Sequence, residues 1–97
     1  MIQSFADRAT LQLFNGRSTK ATRRVLPARL HEVAWRKLDQ LDSAGSLEDL
    51  RQPPGNRLEA LRGTRVGQHS IRINQQYRVC FRWTSQGPAD VEVTDYH

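Results

Sequence analysis

Residues 68–83, QHSIRINQQYRVCFRW, constrain this chain more than any other stretch. Apolar and polar side chains alternate on both sides of Asn74-Gln75-Gln76. A strand turns successive side chains to opposite faces, so this spacing predicts two β-strands joined by a turn. One face takes His69, Ile71 and Ile73, then Tyr77, Val79, Phe81 and Trp83. That set must meet a core. The other face takes Gln68, Ser70, Arg72, Asn74, Arg78, Cys80 and Arg82. Three arginines on one sheet face make an anion-binding surface.

The flanking segments supply what would cover the apolar face. Met1 to Phe5 reads as a short edge strand. Asp7 is a good N-cap for a first helix carrying Leu11 and Phe14 on one side, and Asn15-Gly16 ends it. Residues 17–24, RSTKATRR, show no periodicity and predict a mobile basic loop that connects, grips phosphate or is masked by a partner. Pro27 suits the first turn of a second helix. There Leu30, Val33, Ala34, Leu38 and Leu41 form a helical stripe, with Trp35 at its edge and His31 as a solvated residue. Ser46 to Asp49 resembles a capping box for one short turn. Gln52 to Asn56, with two prolines and a glycine, cannot extend a helix. Arg57 to Leu61 reads as a strand, and Ala89 to Asp95 as a last one, with Val91 and Val93 alternating against Glu92 and Thr94. The order is β-α-α-β-β-β-β: an α+β fold, two N-terminal helices on one face of a small, mainly antiparallel sheet, and the opposite face open and basic.

Ninety-seven residues suit one domain, 1–97, with one modest core. The formal net charge is +5 and the sequence pI about 10.3, which favours an acidic partner such as nucleic acid. From Arg51 to Arg82 lie Arg51, Arg57, Arg62, Arg65, Arg72, Arg78 and Arg82 against Glu59, whereas Asp90, Glu92 and Asp95 follow with no Lys or Arg. No apolar run matches a membrane span, and the first residues lack the basic start and apolar block of a signal peptide, so no membrane partner and a cytoplasmic location are the expectations. The single cysteine, Cys80, excludes an internal disulfide and any multi-cysteine zinc site; mid-strand, it reads as a small filler rather than a nucleophile. His31, His69 and His97 lie on different elements without metal-ligand spacing, and His69 reads as a half-buried strand histidine. No phosphate loop, zinc helix or nucleophile elbow is present.

RNA can be cut by side chains alone if four tasks are filled. A base takes the 2′-hydroxyl proton, a cation holds the charge on phosphorus, an acid protonates the leaving 5′-oxygen, and stacking groups hold the nucleotide in line. Arg62, Arg72 and Arg78 are candidates for the second task. Glu59, Tyr96 and His97 are candidates for base, acid or stacking. Histidine, with a reference pKa of about 6.5, transfers protons in either direction. A terminal Asp-Tyr-His, taken by itself, is more often a frayed tail.

Four segments, LEDL (47–50), PPGNRLEALRG (53–63), SIRINQQYRVCFRW (70–83) and VEVTDYH (91–97), together resemble the HigB-type toxins of the RelE/ParE superfamily, in the plasmid maintenance killer branch. The resemblance spans nearly the whole chain. It implies a RelE-like fold and a ribosome-dependent mRNA endonuclease that needs neither metal nor cofactor. It also implies a HigA-like helix-turn-helix antitoxin, with operator DNA bound only through the toxin–antitoxin complex. By the same resemblance Asp95, Tyr96 and His97 match a catalytic tail, and Arg62 and Arg78 match basic positions around the scissile phosphate. Arg57, Arg65, Arg72 and Arg82 would bind RNA. Some relatives carry histidine where this chain has Glu59, which leaves the base open between Glu59 and His97. Two other readings stand beside the nuclease: a non-catalytic RNA- or ribosome-binding translation blocker, and a ParE-like gyrase poison on the same fold. Four arginine–phosphate contacts on single-stranded RNA would give a salt slope of about −3.

Overall fold

The alternating stretch folds as the central hairpin of the sheet. The computed structural model describes residues 1–53 and 55–95. Strands β2 (His69–Arg72) and β3 (Tyr77–Thr84) pair antiparallel with Ile71 opposite Val79 and Arg72 opposite Arg78. Asn74 closes the turn: its Oδ1 accepts from the backbone N–H groups of Gln76 and Tyr77 at 2.9 and 2.8 Å. This side-chain turn is why a polar triplet replaces a glycine turn here. Strand β4 (Gly87–Asp95) returns along β3, and the two-residue β1 (Glu59–Ala60) flanks β2, so the order is β1-β2-β3-β4, antiparallel throughout. The register between β3 and β4 shifts between Cys80 and Arg82, where Asp90 adopts φ +52°. That bulge keeps Val91 and Val93 on the core face beyond it.

The N-terminal segment takes a sheet edge, beside β4, but as one parallel bridge, Phe5 to Val91, rather than the expected strand. Its backbone still occupies the β4 edge, through Gln3 N–H to Pro88 O, Val91 N–H to Ser4 O and Ala6 N–H to Val91 O. Helix α1 (Arg8–Phe14) begins at Asp7, whose carboxylate accepts from Thr10 N–H at 2.7 Å, and ends at Asn15 before Gly16 at φ +74°. Thr10 is fully buried and its Oγ1 accepts from Val93 N–H at 3.0 Å, tying α1 to the sheet.

The expected mobile loop contains a helix. Helix α2 (Lys20–Val25) opens with a reciprocal capping box between Thr19 and Thr22, and Thr22 is buried. Threonine fills the position where glutamate or glutamine usually marks this motif, so the signal escaped the sequence reading. Pro27 then precedes a 3-10 turn, Ala28–Leu30, before helix α3 (His31–Ser43). Among the described residues three α-helices, not two, therefore cover the apolar sheet face. His31 is half-buried rather than solvated, with Nε2 2.8 Å from Leu26 O.

Leu30, Ala34, Leu38 and Leu41 of the predicted stripe are buried against Ile71, Val79, Phe81 and Val91. Each fully buried side chain of this size contributes about 1.5–3 kcal/mol. His69 is half-buried across from Phe81, with ring centroids 6.3 Å apart, and its Nδ1 has no partner among the described residues. Ser46 and Asp49 form the expected capping box before the 3-10 turn Leu47–Leu50. Among the described residues no helix is long and apolar enough to cross a membrane.

Candidate functional site

The hairpin register sets two guanidinium groups side by side. Arg72 and Arg78 are direct cross-strand partners on the face away from the helices. Like charges at such positions destabilise a sheet by a few tenths of a kcal/mol to about 1 kcal/mol. Arg78 is held in place despite this. Its Nε donates to Ser70 Oγ, and its Nη2 donates to Arg57 O at 2.6 Å and lies 3.9 Å from Glu59 Oε2. Its side chain is only 13% exposed, above the fully buried Ser70 and Cys80. Arg72 is half-buried, and its guanidinium has no hydrogen bond or ion pair among the described residues. Arg57 is exposed and takes φ +46°, a left-handed conformation uncommon for a long side chain.

These groups line an open cleft of about 370 Å³ with Glu59, Asn74 and Gln75. Among the described residues three guanidiniums face one carboxylate there, an excess of positive charge that a phosphate would neutralise.

Asn56 builds this cleft from behind, and the sequence reading passed over it as a turn residue. It is fully buried. Its Oδ1 accepts from Lys37 Nζ, while its Nδ2 donates to Gln40 Oε1 at 2.8 Å and to Leu50 O at 3.1 Å. Its carbonyl accepts from Arg72 N–H at 2.6 Å. The side chain thus joins α3 to the Leu47–Leu50 turn, the backbone of the same residue ties both to β2, and its neighbour Arg57 supplies the carbonyl that fixes Arg78. A signal existed: an asparagine between a Pro-Pro-Gly turn and a strand must satisfy four side-chain hydrogen-bonding positions somewhere. Burial, and next the Arg36 charge, lower the Lys37 pKa from its ordinary 10.5.

The structure separates the other predicted arginines from this cleft. Arg65 pairs with Glu92 at 3.1 Å and donates to Gln68 at 3.0 Å. Arg82 pairs with Asp90 at 3.5 Å. Both acids lie in the segment whose charge looked separate in the sequence; the β3–β4 hairpin folds them back. Arg62 is exposed at the start of the 3-10 turn Gly63–Arg65 and lies outside the cleft's described lining. Asp95 is in register with Tyr77 and accepts from Gln76 Nε2 at 2.8 Å, at the end of the sheet where Gln75 lines the cleft. Tyr96 and His97 lie outside the described residues. Cys80 is buried, and burial, with Glu92 adding to it against Arg65 and Arg78, raises its pKa above 9.0, as befits a packing residue. Among the described residues no three His, Cys, Asp or Glu side chains gather as metal ligands would.

Helices packed on one face of a four-stranded antiparallel sheet make the α+β architecture that the resemblance to the RelE-like toxins implies. Residues 3–97 match the family described as "RelE-like toxin of type II toxin-antitoxin system HigB", and the chain belongs to that family. It is 48% identical over 60 residues to "Toxin HigB-1" of Vibrio cholerae serotype O1, an alignment covering 62% of this chain and 63% of that protein. It is 40% identical over 58 residues to an uncharacterized protein of Haemophilus influenzae, covering 60% of this chain and 57% of the relative. The matched portion therefore spans less than two thirds of either relative.

Proposed function

We propose that this protein halts translation in the cytoplasm as an endoribonuclease acting on mRNA held by the ribosome, and that a HigA-like helix-turn-helix antitoxin neutralises it. The complex of the two would bind operator DNA through the antitoxin. The observation that carries the nuclease reading is the cleft in which Arg72 opposes Arg78 with Glu59 as the single carboxylate in the described lining.

The reaction is a transesterification. The 2′-oxygen attacks phosphorus, the bond from phosphorus to the 5′-oxygen breaks, and the products are a 2′,3′-cyclic phosphate and a 5′-hydroxyl. Glu59 or His97 takes the 2′-hydroxyl proton, and a protonated group of the Tyr96-His97 tail supplies one to the 5′-oxygen. Arg78, immobilised by Ser70 and Arg57, stabilises the charge growing on the non-bridging oxygens without having to reorganise. Arg72 and Arg57 hold the flanking phosphates. Tyr96 stacks on a base, a contact worth about 1–3 kcal/mol. Arg62 and Asp95 belong to the proposed site through the family resemblance, as supporting charges at its rim.

Mapping mRNA 5′ ends after induction tests the reading. Wild type should produce discrete new ends. Arg78→Ala should lose about 10²–10³-fold in cleavage, the usual cost of removing one preorganised charge donor. His97→Ala should lose at least about tenfold, the lower side of general acid–base contributions. With Arg65 and Arg82 paired away from the cleft and Arg62 outside its described lining, Arg57, Arg72 and Arg78 remain for phosphate, and RNA binding should show a salt slope of about −2 rather than −3. Arrested translation without new ends would mean blocking by occupancy. DNA breaks linked to gyrase with intact mRNA would mean a gyrase poison.

A further inference from the structure

A second cationic segment covers helices α1 and α2 and the turn into α3. Residues 8–30 contain Arg8, Arg17, Lys20, Arg23, Arg24 and Arg29 and no Asp or Glu. All six are exposed, and none is in an ion pair among the described residues. Arg65, Arg78 and Arg82, by contrast, each meet a carboxylate on the sheet. Helix α2 gains nothing from this charge: it has no acidic residue in its first turn, and its cations repel one another.

Beside these cations lies a pocket of about 220 Å³ lined by Leu13, Gly16, Arg17, Ser18, His31, Glu32 and Trp35. Trp35 is 43% exposed, a large apolar area for a side chain at the edge of a core. The walls are braced. His31 bridges Leu26 O and Ser18 Oγ, at 2.8 and 3.4 Å, and Thr19 Oγ1 donates to Gln12 Oε1 at 2.7 Å. His31 and Ser18 therefore have little side-chain freedom left to lose when something binds, which favours affinity. Aromatic anchors beside a preformed pocket, within a charged rim, are the usual centre of a protein interface.

We propose that this surface docks the antitoxin through an acidic segment bearing one bulky apolar side chain. The apolar side chain enters the pocket against Leu13 and Trp35, and carboxylates around it meet Arg17, Arg23 and Arg24. A nucleic-acid backbone would engage the cations but would leave the pocket unfilled. Glu32, drawn 3.8 Å from Arg36, keeps the α3 side of the rim from being uniformly basic, which orients the partner. The proposal rests on the toxin–antitoxin partnership of the family and not on the mRNA cleavage reading.

Isothermal titration of the full chain with its cognate antitoxin provides the test. Trp35→Ala should weaken binding at least tenfold, while Trp35→Phe, which keeps a ring in place, should stay within about threefold of wild type. The triple reversal Arg17→Glu, Arg23→Glu, Arg24→Glu should weaken it at least thirtyfold and flatten its salt dependence. Arg51→Glu controls for net charge at a distant exposed site. Thermal melting confirms that each variant is folded. Binding within twofold of wild type for both Trp35→Ala and the triple reversal overturns the proposal. So does equal weakening by Arg51→Glu and by each single reversal, and so does loss of ribosome binding with antitoxin binding intact. Mapping mRNA ends with the same variants in cells lacking the antitoxin separates this outcome from a failure of the nuclease reading.

Discussion

Replacing Asn56 by alanine should cost far more stability than its place in a surface turn suggests. The substitution removes three side-chain hydrogen bonds, to Lys37, Gln40 and Leu50. The two neutral bonds contribute about 0.5–1.5 kcal/mol each, and a bond from a charged donor about 1.5–3 kcal/mol. Lys37 is half-buried and recovers part of its loss by hydration, so the sum is about 2–4 kcal/mol. For a chain of this size each kcal/mol lowers Tm by about 4–8 °C, which predicts a fall of roughly 8–32 °C. Thermal unfolding followed by circular dichroism and calorimetry measures it. A cycle with Lys37→Met isolates the contact, whose coupling should lie within about 0.5–3 kcal/mol. The Arg57 carbonyl that holds Arg78 loses its anchor as well, so RNA cleavage at a temperature where the variant is folded should also fall. A Tm within about 4 °C of wild type, or no coupling to Lys37, would refute the role assigned to this side chain.

Two further outcomes follow from the same packing. Gly87 sits at φ +129°, and a Cβ there would come 2.3 Å from the Met1 carbonyl oxygen, so Gly87→Ala should lower the urea midpoint by the equivalent of about 2 kcal/mol or more; an unchanged midpoint would contradict the close N-terminal approach. Cys80 should react with iodoacetamide at pH 8 at least 100-fold more slowly in the folded protein than in urea. Its folded pKa is raised above 9.0, so the unfolded chain ionises first, and wild type should lose stability relative to Cys80→Ala as pH rises from about 9. Equal labelling rates, or parallel pH profiles, would show the thiol to be accessible.

Much of the fold was readable from local pattern. The alternation around Asn74 placed β2 and β3 on their faces, and Val91 and Val93 did the same for β4. The stripe from Leu30 to Leu41 identified the long helix, and Asp7 and Ser46 marked element starts. Helix α2 was missed because six residues are too few to show a periodicity, and its stability comes from Thr22 and Leu26 buried against other elements.

The site was legible in part. Arg72 and Arg78 share a face because strand parity and a short turn dictate it, and both are local properties of sixteen consecutive residues. Which arginines stay free to meet phosphate is not local. Glu92 and Asp90 reach Arg65 and Arg82 only after the β3–β4 hairpin closes with its bulge, and Asn56 becomes a brace only once α3 and β2 lie on either side of it. The sequence by itself determined the periodicities, and through them the class of fold and the basic character of the open face. Tertiary structure alone decided the charge partners, because an ion pair or a buried amide depends on distances between segments that the chain order leaves free.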